Sequence, residues 1–253
     1  MVNPVHLLII NPNTTASITA LLQLHAKKVA GTDVQISAIT ARFGAPYIAC
    51  EATYAVAGHA MLDAWAAVLA SGDAPDTVLI GCFGDPGLLA LRETSQAPVT
   101  GLAEAAFIEA SSHGPFAIVT GGERWKPMLK RLAHQLGYGQ LLKGIHTVVP
   151  TGAELAQDPV AACSLLTAAC QKAARDFQVK AVILGGAGLA GMAAAIQSEV
   201  DVPVIDSALA GTRQALLRVG QKSLLKAVPS DRFDVRWQGV SAELMALGLQ
   251  EGT

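Results

Sequence analysis

The stretch LIGCFGDPGLLALRE, Leu79 to Glu93, carries the most chemistry per residue in the chain. An apolar run leads into Cys82, a turn with Gly81, Gly84 and Gly87, and then a helix-like Leu/Ala run. A thiol left alone is a weak base with a pKa of about 8.5, but the free N–H groups of a helix start favour its thiolate. Bare glycine backbone lets N–H groups approach an oxygen anion. Removing a proton next to a carbonyl makes an enolate, and losing one fixed donor to it costs about 3 kcal/mol. Asn11, Asn13, Thr14, Thr120, Gly121 and Gly186 are polar or bare positions at matching turns elsewhere in the chain. Position alone, however, favours a packing cysteine over a catalytic one. Asp85 before Pro86 reads as a helix cap with Pro at the first helical position. Asp206 and Ser207 read either as lining the cleft or as a cap of the helix that follows them, with the cap favoured.

The other candidates are weaker. Cys163 and Cys170 are seven apart in an Ala/Leu-rich helical pattern and read as packing residues. Cys50 follows GAPYIA (44–49) and is kept as an outside candidate. No Cys or His spacing suits zinc, so no metal is expected. His59 sits within a helical pattern and reads as a helix residue, with a proton-donor role as the rival reading.

These residues need strands and helices to hold them. HLLIIN (6–11), DTVLIG (76–81), PFAIVT (115–120) and KAVILG (180–185) read as buried parallel strands of an α/β fold. Helices are predicted over 17–29, 53–71, 86–94, 127–136, 159–177 and 240–249, the first capped from Asn13-Thr14-Thr15. The turns repeat along the chain. VLIGCFGDPGL (78–88) matches VILGGAGLAGM (182–192) at an offset of 104, and APVTGLAEA (97–105) matches VPVIDSALA (202–210) at 105. LLIINPNTT (7–15) matches FAIVTGGER (116–124) at 109. Three matches in one order predict a duplicated α/β unit with the ligand cleft beyond the carboxyl ends of the strands. Two similar domains are expected, 1–100 plus 208–253 and 101–207, each with a central parallel sheet, related by a pseudo-twofold axis.

Composition bounds the rest. The chain has 253 residues, 51% hydrophobic and only 15% charged, which predicts further hidden surface and a homo-oligomer. A net charge of −2 without basic clusters excludes nucleic acid and anionic membrane as partners. The apolar run before Asn11 is too short for a signal peptide or span, and four unclustered cysteines predict a reduced, cytoplasmic protein.

INPNTT (10–15), GCFGDPGLLALRE (81–93), PVTGLAEA (98–105), VTGG (119–122), LGGAGLAG (184–191) and PVIDS (203–207) together resemble the aspartate/glutamate/hydantoin racemase superfamily. The hydantoin and allantoin racemase branch is the most similar, with a weaker match at GVSAELMAL (239–247). The resemblance reverses the reading of Cys82. It implies a cofactor-independent enzyme acting on a small molecule at a carbon alpha to a carbonyl, with Cys82 as acid/base thiol. It also implies substrate contacts from Asn11, Asn13, Thr14, Tyr47, Ile48, Gly81, Phe83, Gly84, Thr120, Gly121, Gly185, Gly186 and Ala187. The family uses two opposed cysteines, and the position of the second is occupied here by Gly186. A single-cysteine decarboxylase or cis–trans isomerase of a small dicarboxylic acid is therefore the alternative reading, and a non-catalytic metabolite-binding protein the third.

Overall fold

The structure is a computed structural model, and it describes residues 4–149, 159–219 and 235–248. Strands β1 (Val5–Asn11), β2 (Val34–Thr40), β3 (Thr77–Ile80) and β4 (Val99–Gly101) form one parallel sheet in the order β2-β1-β3-β4. Strands β5 (Phe116–Gly121), β6 (Leu142–Val148), β7 (Ala181–Gly185) and β8 (Val204–Asp206) form a second in the equivalent order β6-β5-β7-β8. The four predicted apolar runs form the inner strands β1, β3, β5 and β7. Leu7–Ile10, Val78–Ile80, Phe116–Val119 and Ala181–Leu184 are all essentially inaccessible, as parallel strands covered on both faces must be.

The repeat extends to the pairing register. Ile10 pairs with Ile80 in the first sheet, and Val119 pairs with Leu184 in the second. Ile80 pairs with Gly101, and Leu184 pairs with Asp206. These pairings differ by the offsets of the sequence matches. The fold is thus α/β, built from two similar units.

The helices are α1 (Ala16–Ala30), α2 (Glu51–Ala70), α3 (Leu88–Thr94), α4 (Leu102–Ser111), α5 (Trp125–Gln135), α6 (Pro159–Phe177), α7 (Met192–Ile196), α8 (Ser207–Val219) and α9 (Ala242–Ala246). α4 and α8 are repeat counterparts and pack on one another. Each also packs on the opposite sheet: α4 on β7 and β8, α8 on β3 and β4. This exchange joins the halves through one continuous core that contains Leu7, Leu102, Phe107, Phe116 and Ile183.

Four expectations are corrected. The helix predicted from Pro86 begins at Leu88, because Gly87, in a left-handed conformation, is its N-cap. Asp85 therefore does not cap that helix; its carboxyl accepts the N–H groups of Ala103 and Glu104, 18 and 19 residues on, at the start of α4. The helix predicted over 240–249 is a single turn, Ala242–Ala246, and residues from 249 lie outside the described residues. At α1 the hydroxyl of Thr15 does not cap the helix but donates to the carbonyl of Pro46, while Asn13 Oδ1 takes the Thr15 N–H. Asp206 does cap the helix it precedes, accepting from Ala208 and Leu209.

Candidate active site

The carboxyl ends of β1 and β3 face those of β5 and β7 across one cavity of about 180 Å³. Of the predicted residues, Asn13, Tyr47, Ile48, Gly81, Cys82, Phe83, Thr120, Gly121, Gly185, Gly186 and Ala187 line it. Asn11, Thr14 and Gly84 do not. Asn11 is wholly buried and acts on its neighbour: its Nδ2 donates to Asn13 Oδ1 at 2.9 Å and to Thr19 Oγ1 at 2.9 Å. Thr14 is spent on the adjacent loop through an N–H to the Ala45 carbonyl. Gly84 lies against the ring of Trp125, where a Cβ would come within 2.4 Å of the ring edge.

Sequence reasoning missed Thr15, Ile18, Pro46, Trp125, Gly188 and Leu189, which also line the cavity. Ile18 was within reach of it, since it lies one helical turn beyond Thr15 on the same face.

The Asn pair fixes a polar group. Asn13 Oδ1 is engaged by Asn11 and by the Thr15 N–H, so the amide NH2 of Asn13 is the half left to the cavity. The Thr120 hydroxyl, on the repeat counterpart of Asn11, adds a second polar group from the opposite sheet. The walls are otherwise apolar: Ile18, Pro46, Ile48, Phe83, Trp125 and Leu189. Among the described residues no lining side chain carries a formal charge.

Two aromatic side chains lock the halves together at the floor. The Phe83 ring covers Gly185, leaving no room for a Cβ there, and stands edge-on to Phe107. Trp125 reciprocates from the second half on Gly84. The glycines of both turns are thus sites of close approach between the halves.

Cys82 is 7% exposed, and that exposure is to the cavity. Burial pushes its thiol well above the ordinary value, and the nearby Asp85 carboxylate pushes it further. The resting group is a thiol, so burial outweighs the helix end that the sequence placed beside it. Gly186 has φ 149° and ψ 131°, a conformation that L residues avoid, and its N–H donates to Ser207 Oγ. Of the other candidates, Cys170 is buried and Cys163 packs beside it in the second core, Cys50 caps α2 through Thr53, and His59 stands edge-on to Phe43. None of these lines the cavity. Among the described residues no three His, Cys, Asp or Glu side chains are grouped to hold a metal ion. Among them, too, no helix is long and apolar enough to cross a membrane.

A thiol facing polar donors between two duplicated units has counterparts among known proteins. The family model for Asp/Glu/hydantoin racemase matches residues 7–215. The chain belongs to the Asp/Glu/hydantoin racemase family. A hydantoin racemase of Pseudomonas sp. (strain NS671) is 32% identical over 220 residues, covering 85% of this chain and 87% of that protein. A hydantoin racemase of Paenarthrobacter aurescens is 34% identical over 213 residues, covering 83% and 89%. Among solved structures, an allantoin racemase from Klebsiella pneumoniae superposes with a TM-score of 0.84 at 30% identity, over 96% of this chain and 99% of that one. This racemase-family chain is accordingly an enzyme of the isomerase class, and the reading of a binding protein without chemistry gives way.

Proposed function

We propose that this enzyme racemises a small neutral carbon acid of the hydantoin type, with Cys82 as the acid/base thiol. The observation that carries the reading is the placement of one thiol on the floor of an uncharged, largely apolar cavity. A free amino acid or a dicarboxylate would bury charge there with no partner, which is costly. A cyclic amide buries none, and its N–H and C=O groups match Asn13 and Thr120. The dicarboxylic alternative is disfavoured on the same ground.

In the proposed step the minor thiolate form of Cys82, its proton released to water, removes the α-proton, and the electron pair moves onto the carbonyl oxygen. The Asn13 amide and bare backbone N–H groups stabilise that enolate. Return of the proton from Cys82 restores the starting enantiomer. Inversion needs a proton on the Gly186 face, where the described residues offer no thiol; water supplies it, and the hydroxide left takes the proton from the Cys82 thiol, which restores the thiolate.

The test is α-hydrogen exchange in heavy water on an enantiopure 5-substituted hydantoin, followed beside optical rotation. Cys82→Ser is expected to lower both rates by about 10²–10⁴-fold, the usual effect of losing an acid/base group. In the wild type, deuterium is expected to enter the starting enantiomer before it inverts. Undiminished exchange in the serine variant would remove Cys82 from the mechanism.

A further inference from the structure

The turn that carries Cys82 is fastened from behind. The Asp85 N–H donates to the Cys82 carbonyl at 3.1 Å. The Asp85 side chain is buried, with Oδ1 on the Ala103 N–H at 2.9 Å and Oδ2 on the Glu104 N–H at 2.8 Å. Its backbone is left-handed at φ 52°, so the fastening is held against local preference. Room is reserved for it: a Cβ on Gly101 would stand 2.1 Å from Asp85 Cγ.

The second half solves the same problem differently. Asp206, the register counterpart of Gly101, accepts from Ala208 and Leu209, the counterparts of Ala103 and Glu104, and also from Gly191. Both sheets thus end with one carboxylate on the helix that follows the last strand. In the second half it stands on the strand end. Only in the first half does it ride on the turn that bears the thiol. Helix capping alone does not require that placement, since Asp206 achieves it from the strand.

We propose that Asp85 is a positioning residue for Cys82: its carboxylate clamps the thiol-bearing turn onto α4 and sets a negative charge behind the sulfur. The proposal rests on the reading of Cys82 as the acid/base group. The charge keeps the proton on the resting thiol and makes the thiolate, once formed, a stronger base toward a carbon acid. The groups around Asp85 leave its charge unpaired by any cation among the described residues. Glu104 of α4 engages Arg92 and Arg218 itself. Tyr54 of α2 gives its hydroxyl to the Gly84 carbonyl. Arg131 of α5, which shares a second cavity with Asp85, is paired with Glu51. Burial lifts Asp85 to about 7 against the pull of the Ala103 and Glu104 N–H groups.

The test is Asp85→Asn, read by the pH dependence of Cys82 alkylation with iodoacetamide. Peptide mass spectrometry separates Cys82 from Cys50, Cys163 and Cys170. The alkylation midpoint is expected to fall by about one pH unit or more on loss of the neighbouring charge. Turnover of the hydantoin is expected to drop roughly tenfold or more in kcat, from misplacement of the thiol, with little change in KM. Asp206→Asn, which removes the equivalent clamp without a thiol on it, is expected to lower Tm and leave the Cys82 midpoint in place. An unmoved midpoint in Asp85→Asn overturns the proposal, as does an equal shift in Asp206→Asn. Alkylation needs no substrate, so the result is separate from the fate of the racemase reading, which Cys82→Ser decides. Should Asp85→Asn not fold, the wild-type profile answers. An added inflection near pH 7, where Asp85 titrates, supports the clamp. A single-proton curve overturns it.

Discussion

Cys82 and Gly186 occupy the same register position of the two sheets. Cys82 lies two residues beyond Ile80, the partner of Ile10, and Gly186 lies two residues beyond Leu184, the partner of Val119. Both line the same cavity, so the duplicated architecture places a thiol at one of two equivalent positions and a glycine at the other. The difference extends below the side chain. At Gly186 the backbone itself has moved to φ 149°, where a cysteine is strained.

That conformation makes the first prediction. A Cβ at Gly186 would meet only Leu189, at 3.5 Å, so space is not the obstacle. Gly186→Ala is expected to destabilise by about 1–3 kcal/mol through backbone strain alone, read from urea denaturation. Gly186→Cys carries the same strain and is expected not to speed inversion in polarimetry. A gain of inversion rate with unchanged stability would show that the turn relaxes to accept a second thiol.

Asn13 gives the second. Its oxygen is held by Asn11 and Thr15, and its amide is directed to the cavity. Asn13→Ala is expected to lower kcat by about 10²-fold or more, the effect of losing one oxyanion donor, and to alter KM much less. Steady-state kinetics on the same hydantoin decides. A rise in KM with kcat intact would assign Asn13 to ground-state binding only.

How much of this was legible in the sequence follows from the same features. The inner strands β1, β3, β5 and β7 were readable because parallel strands buried on both faces are continuous apolar runs. β4 and β8 have three residues each, too few to register beside noise. β2 is mostly half-exposed along its length, so no continuous apolar run marks it. α4 is buried nearly all round between the two sheets and shows little amphipathic contrast, which hid it. Site residues at the strand ends, such as Thr120, Gly121 and Gly186, followed from the repeat. Trp125 and Leu189 reach the cavity from segments beyond the turns, where tertiary packing and not local pattern decides. Thr15 lines the cavity in place of Thr14 because the Asn13 side chain bonds the Thr15 N–H, setting a local turn that sequence pattern does not resolve.

Gly101 supplies a third prediction. The carboxyl of Asp85 fills the space beside its Cα, with Cγ and both oxygens within 2.6 Å of where a Cβ would stand. Gly101→Ala is therefore expected to expel the carboxyl from the Ala103 and Glu104 N–H groups. The cost is about 2–4 kcal/mol, from overpacking together with two lost hydrogen bonds to a buried charge. Thermal unfolding measures it, and an alanine variant within 0.5 kcal/mol of wild type, on the order of a neutral surface change, would refute the packing.

The last prediction concerns acid. Arg42 grips Asp63 through two hydrogen bonds of 2.8 Å each and extends a third, also 2.8 Å, to Glu243 at the start of α9. Asp63 is 2% exposed, and burial alone would raise its pKa. The hydrogen bonds from Arg42 and Ser241 outweigh burial and leave it below the ordinary carboxylate value. A carboxyl depressed in the folded state stabilises above its unfolded pKa, about 3.9, and that contribution is lost as pH falls through the folded value. Arg42→Ala leaves Asp63 buried without its cation. Because Arg42 itself is about half exposed, the expected loss at pH 7 is about 1–2 kcal/mol, below the 3–5 kcal/mol of a fully buried pair. The gap between variant and wild type should narrow as pH falls, first as the buried, unpaired Asp63 of the variant protonates and then as the wild-type carboxyl protonates below its ordinary value. Urea denaturation across pH 3–7 follows it. A gap that stays constant over that range would mean that Arg42 stabilises through packing of its stem rather than through the charge of Asp63.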